Sequence, residues 1–163
     1  MNKERPHVFV LPEDDANRQL ANAFHLQVDW NRQRWMQVLP VAGGWKEVLR
    51  LFASDHISQM ELWPSRFMIL LIDLDNKPLR LAKALEEIPN HLRSRVFILG
   101  VLSEPERLRA ALNKHLEHIG SDLADDCRSG IVGNWDHDLL KHNAPELERL
   151  RELLCPILFP ASA

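Results

Sequence analysis

Apolar positions along the chain follow two rhythms. Short, mainly apolar runs occur at His7-Val8-Phe9-Val10-Leu11, Met36-Gln37-Val38-Leu39, Phe67 to Ile72 and Arg95-Val96-Phe97-Ile98-Leu99. Between them, apolar residues recur every three or four positions: Ala16, Leu20, Ala23 and Phe24, then Trp45, Val48, Leu49 and Phe52, then Leu79 to Ile88, then Leu108, Ala111, Leu112 and Leu116. The runs predict strands and the periodic stretches predict amphipathic helices. Strand and helix alternating four times imply an α/β fold with a mostly parallel central sheet and helices on both faces. The run from Phe67 to Ile72 has no polar face and predicts a central strand covered on both sides.

Local signals place the turns. Pro12 and the acidic Glu13-Asp14-Asp15 end the first strand, and Asp14 or Asp15 can cap the helix that follows. Val41-Ala42-Gly43-Gly44 turns the chain after the second strand, and Pro89-Asn90 stops the third helix. Ser103 can cap a fourth helix with Pro105 and Glu106 in its first turn. Beyond residue 119 the pattern predicts a short helix over Ser121 to Cys127, a helix over Pro145 to Leu154, and a closing edge strand over Cys155 to Phe159, where Pro156 is tolerated. No linker divides the 163 residues, so the expectation is one domain over 1–163, with a core over 7–116 and a C-terminal helical extension over 117–163.

Ligands in open α/β sheets bind at the C-terminal ends of the strands. The turns there hold Glu13, Gly43-Gly44, Asp73-Leu74-Asp75 and Ser103-Glu104. Three of these four turns are acidic, and adjacent carboxylates repel unless a cation lies between them. Hard oxygen donors at such an edge suit Mg²⁺ or Mn²⁺. A helix cap and a solvated turn account equally for isolated acids, so the argument rests on their convergence. Gly43 and Gly44 read either as a plain turn or as a phosphate contact at the start of the next helix.

Glu13 after the first strand and Asp73-Leu74-Asp75 after the third resemble the TOPRIM domain of topoisomerases, primases and overcoming-lysogenization-defect nucleases. The resemblance covers roughly residues 7–116 and extends to the Gly43-Gly44 turn and to Ser103-Glu104-Pro105-Glu106. The chain departs from the family by carrying Asp14 and Asn17 where a glycine and an aspartate are usual. Within the group it most resembles small bacterial TOPRIM-like proteins that occur beside an ABC-type ATPase. The resemblance implies a Rossmann-like core and metal-dependent phosphodiester hydrolysis of DNA or RNA. It implies Asp73 and Asp75 as metal ligands, Glu13 as a third ligand or general base, and Glu104 or Glu106 completing a second metal position. It equally implies a second role, a non-catalytic binding or regulatory subunit of an ATPase complex.

Composition narrows these readings. The chain has no tyrosine, which excludes topoisomerase chemistry through a tyrosyl ester within this chain. A net charge of −3 gives no overall basic surface for gripping a nucleic-acid backbone. The one basic-aromatic cluster is Trp30 to Trp35, with Arg32 and Arg34, a stretch suited to stacking on bases or to a partner. Trp45 reads as core. His137, Asp138 and His142 lack helical ligand spacing and read as solvated surface. No apolar run approaches a membrane span and the first residues are polar, so the expected location is cytoplasmic, with Cys127 and Cys155 as free thiols. A haloacid-dehalogenase phosphatase carries its Asp-x-Asp on the first strand, and a receiver domain needs a lysine after a fifth strand. Neither order fits.

Overall fold

The computed structural model describes residues 5–160. Four parallel strands, β1 (His7–Pro12), β2 (Met36–Val38), β3 (Arg66–Leu71) and β4 (Val96–Leu99), form one sheet in the order β2-β1-β3-β4. β1 and β3 pair along their whole length, from His7 opposite Arg66 to Pro12 opposite Leu71. The chain winds outward from these two strands in opposite directions, so the gap between their C-terminal ends is a topological switch point.

Alternate strand residues face opposite layers, as the two-residue strand period requires. Val8, Val10, Ile69, Phe97 and Leu99 enter one apolar cluster with α1 (Asp15–Leu26), α5 (Pro105–Leu112), α6 (Leu116–Ser129), α7 (Ala144–Leu153) and α8 (Cys155–Leu158). Leu11, Met68, Leu70, Ile72, Val96 and Ile98 enter the other, with α2 (Trp45–Leu51), α3 (Ile57–Leu62) and α4 (Leu79–Glu86). A π-helical turn, Phe52–His56, joins α2 to α3 with Phe52 fully buried beneath it. The fold is therefore α/β with helices on both faces of a parallel sheet, and the segment after residue 116 shares its core with the strands.

Close approaches position the switch point. A Cβ on Gly100, just past β4, would stand 1.7 Å from the Ile72 carbonyl oxygen, so only glycine lets the two segments run this close. The Asn143 side chain lies on the other side of Gly100, accepting from its N–H at 3.2 Å and donating to its C=O at 3.0 Å. Past β3 the backbone still pairs with the segment after β4: the amides of Ile72, Leu74 and Asp75 donate to Leu99, Val101 and Ser103. A Cβ on Gly120 would meet the Leu20 carbonyl at 2.5 Å, which is how closely α6 crosses α1.

Several expectations require correction. Cys155 to Leu158 form a helix, not an edge strand, with Pro156 in the first turn, where a missing N–H costs nothing. Cys127 and Cys155 are not free thiols. They form a disulfide between α6 and α8, with Cα atoms 5.6 Å apart and both residues buried. The helix expected over Ser121 to Cys127 extends over Leu116–Ser129. Leu116 belongs to that helix and not to α5, because Asn113 ends α5 in the left-handed conformation. His137 and His142 are half-buried, not solvated, while Asp138 is exposed as expected. No helix among the described residues is long and apolar enough to cross a membrane.

Candidate functional site

Glu13 and Asp73 leave adjacent strands at the switch point. The Glu13 amide donates to the Leu71 carbonyl at 2.9 Å, continuing the β1/β3 ladder by one rung. Its carboxylate then accepts the Asp73 amide at 2.6 Å. Burial raises the Glu13 carboxyl above the ordinary range, as does the charge of Asp14, while the amides of Asp73 and Trp45 and the Arg80 guanidinium oppose the rise.

Asp73 is 8% exposed. Its Oδ1 accepts from the Asn17 carboxamide at 2.9 Å, and the same amide nitrogen donates to Asp14 Oδ1 at 2.9 Å. Asp14 also caps α1 by accepting the Asn17 backbone N–H at 3.0 Å. One buried amide group thus stands between two carboxylates, an arrangement that the sequence expectation, concerned with Asp14 or Asp15 as a cap, did not contain. Burial pushes the Asp73 carboxyl up to about 7, and the charges of Asp14, Glu13 and Glu106 push the same way against the Asn17 hydrogen bond.

Asp75 does not join this group. Asp75 and Asn76 both adopt left-handed backbone, with φ of 51° and 57°. The Asp75 side chain is 66% exposed and lies 3.9 Å from Arg80. Glu104 occupies the N-cap position of α5, exposed and without a side-chain capping bond. Its neighbour Glu106, one of the two residues weighed for that turn, is the one whose charge reaches Asp73. Ser103 does not cap α5. Its residue is 6% exposed and its hydroxyl has no hydrogen-bond partner.

Gly43 and Gly44 lie at φ of 98° and 146°, conformations that favour glycine. Their amides donate to the Glu13 carbonyl at 2.9 and 3.3 Å. The glycine turn therefore anchors the backbone of Glu13, and those two N–H groups are engaged.

Arg80 is the residue that sequence reasoning missed. Its side chain is 13% exposed, donates to the Asp73 carbonyl at 2.8 Å and lies 4.8 Å over the Trp45 ring. Arg80 thus brings a fixed positive charge to the edge that Glu13 and Asp73 make negative. Its position at the start of α4, seven residues past Asp73, was the available signal. Trp45 is half-buried, and one of its ring faces carries Arg80.

Among the described residues, no three or more His, Cys, Asp or Glu side chains converge closely enough to hold a metal ion by themselves. Mg²⁺ demands less, since it usually keeps several waters and takes one or two carboxylates plus substrate phosphate. Asp73 and Asp14, one amide apart and crowded by further negative charge, are donors of that kind. Comparison with known proteins finds no matching family model, no matching curated protein and no matching solved structure.

Proposed function

We propose that the switch point between β1 and β3 binds a divalent cation, Mg²⁺ or Mn²⁺, and acts on a phosphodiester of DNA or RNA, as in a TOPRIM-like nuclease or nuclease subunit. The observation that carries this reading is Asp73: a buried carboxyl raised to about 7 by burial and by three neighbouring acids, at the edge where open α/β sheets bind ligands. A cation beside it would make its ionised form the favoured one.

Each residue has a part that follows from its contacts. Asp73 and Asp14 would hold the ion, with water completing its shell. Asn17 sets the spacing of those carboxylates. Glu13, raised by burial yet held by the Asp73 amide, is suited to accept a proton from an attacking water. Arg80 fixes the Asp73 backbone and offers positive charge toward the exposed Asp75. Bound there, a divalent ion would stabilise charge on a phosphodiester oxygen.

A second reading has its own support. Glu13 and Asp73 are already satisfied by internal hydrogen bonds, and no three-ligand set stands assembled among the described residues. That suits a TOPRIM-like subunit that binds or regulates an ABC-type ATPase partner. A cleavage assay with Mg²⁺ and with Mn²⁺, on single-stranded and duplex DNA and on RNA, with and without such an ATPase, separates the two. The nuclease reading expects cleavage that Asp73→Ala abolishes while the chain stays folded. Cleavage undiminished in the variant contradicts it, and metal-independent association with the ATPase alone supports the second reading.

A further inference from the structure

The opposite edge of the sheet carries the reverse charge. β1 begins at His7 and β3 at Arg66, paired directly, so both lie about 20 Å from the acidic rim at the rise of an extended strand. Arg5 precedes His7, and the charges of both Arg5 and Arg66 act on the imidazole, holding it below its ordinary range after burial has done the same. Arg66 lies 4.5 Å over the Phe9 ring, and Arg5 lies 5.7 Å from the Trp35 ring, whose nearer contact is Arg32 at 3.7 Å. Arg95 fixes the turn into β3 by donating to the carbonyls of Trp63 and Arg66, each at 3.1 Å.

Among the described residues, no ion pair includes Arg5, Arg32, Arg66 or Arg95. His7 is 8% exposed and its Nε2 has no hydrogen-bond partner, and neither does Arg5 Nε nor Arg66 Nε. Three buried nitrogens left unsatisfied within one cluster are costly, and buried polar groups are paired as a rule. Two guanidinium groups flanking an imidazole, with no carboxylate paired to them among the described residues, are a donor set for an oxyanion with several acceptor oxygens.

We infer that Arg5, His7 and Arg66 form a binding site for a phosphate-type oxyanion at the N-terminal edge of the sheet, separate from the carboxylate rim. The ligand's oxygens take the free N–H groups of the two arginines and the His7 ring nitrogen. Neighbouring Trp35 and Trp63 make the site visible to fluorescence. Two sources share this chemistry, free inorganic phosphate and the terminal phosphate of a nucleic-acid strand.

The test is a titration of the full chain with sodium phosphate at constant ionic strength, in EDTA so that no divalent ion carries phosphate to the acidic rim. Tryptophan fluorescence is the readout, and phosphorus NMR line broadening is the check. The site predicts a saturable change that sulfate competes away, with apparent affinity at least tenfold weaker in Arg66→Gln. Arg5→Gln, at the start of the described chain, makes the same test should Arg66→Gln fail to fold. A 5′-phosphorylated oligonucleotide that binds more tightly than both phosphate and its 5′-hydroxyl counterpart assigns the site to a strand end, and equal affinity for phosphate alone assigns it to the free anion. An equal response to potassium chloride, or unchanged affinity in the folded variants, overturns the site.

Discussion

The Glu13 carboxylate accepts the backbone N–H of Asp73 at 2.6 Å. The contact joins residues from adjacent strands just past the end of their ladder, and it makes the side chain of one acid the backbone partner of another. A half-buried carboxylate serves here in place of a strand carbonyl. Removing it leaves the Asp73 amide unsatisfied, at a cost of roughly 1–3 kcal/mol. Glu13→Gln keeps an acceptor and should lose about 1 kcal/mol or less, whereas Glu13→Ala should lose about 2, measured by urea unfolding. Equal losses would show that the hydrogen bond contributes nothing.

Asp73 makes stability depend on pH. Its folded pKa is about 7, above the 3.8 of an unperturbed aspartate. The native state therefore holds a proton that the unfolded state has already released between about pH 4 and 7. Stability contributed by protonated Asp73 is present at low pH and is lost as pH rises through 7. The effect is on the order of 4 kcal/mol. Asp73→Asn, which keeps an acceptor for Asn17, should raise Tm at pH 8 by several degrees and change it little at pH 4.5. A variant no more stable at pH 8 than at pH 4.5, relative to wild type, contradicts the assignment.

The elements around these two residues were legible to different degrees. β1, β3 and β4 read directly from apolar runs, since a parallel strand covered on both faces leaves a near-continuous hydrophobic signature, whereas the edge strand β2 is interrupted by the exposed Gln37. The segment from Cys155 misled because four or five apolar residues do not distinguish a strand from a helical turn, and Pro156 is compatible with both. Glu13 and Asp73 were visible as acids at strand ends. Asn17 and Arg80 were not, because their importance lies in contacts across 56 and seven residues that no local pattern encodes. Asp75 was expected beside Asp73, and the left-handed turn that leaves it exposed cannot be read from an Asp-Asn pair alone.

Gly100 keeps the Asp73 segment against β4. In Gly100→Ala the new methyl group would overlap the Ile72 carbonyl, standing 1.7 Å from its oxygen. The backbone must part, taking the Asn143 pairing and the Ile72 to Leu99 bond with it. A loss of about 3 kcal/mol or more is expected by chemical denaturation. A loss under 1 kcal/mol would mean that the close approach is not required.

The Cys127–Cys155 disulfide ties the last helix to α6 across 28 residues. A loop of that length is worth about 3.5 kcal/mol in the chain-entropy account. Full reduction with dithiothreitol, or Cys127→Ala with Cys155→Ala, should lower Tm by roughly 10 °C. In a reducing cytoplasm the bond would be open and the less stable form would be the working one. An unchanged Tm on verified reduction would show that buried packing alone holds α8.

Arg80 should matter to both stability and the site. It bonds the Asp73 carbonyl, stacks on Trp45 and lowers the Glu13 carboxyl. Arg80→Gln should cost about 2 kcal/mol and alter Trp45 fluorescence. It should also shift the pH dependence of that fluorescence upward as Glu13 loses its cation. Fluorescence and stability both unchanged would remove Arg80 from the site.

Binding of Mn²⁺ measured by electron paramagnetic resonance tests the central claim most directly, in wild type and in Asp73→Ala at pH 7.5. The account predicts saturable binding at the β1/β3 switch point that raises the Tm of the wild type and is lost from the folded variant. Equal Mn²⁺ binding by the two proteins, or none by the wild type, contradicts it.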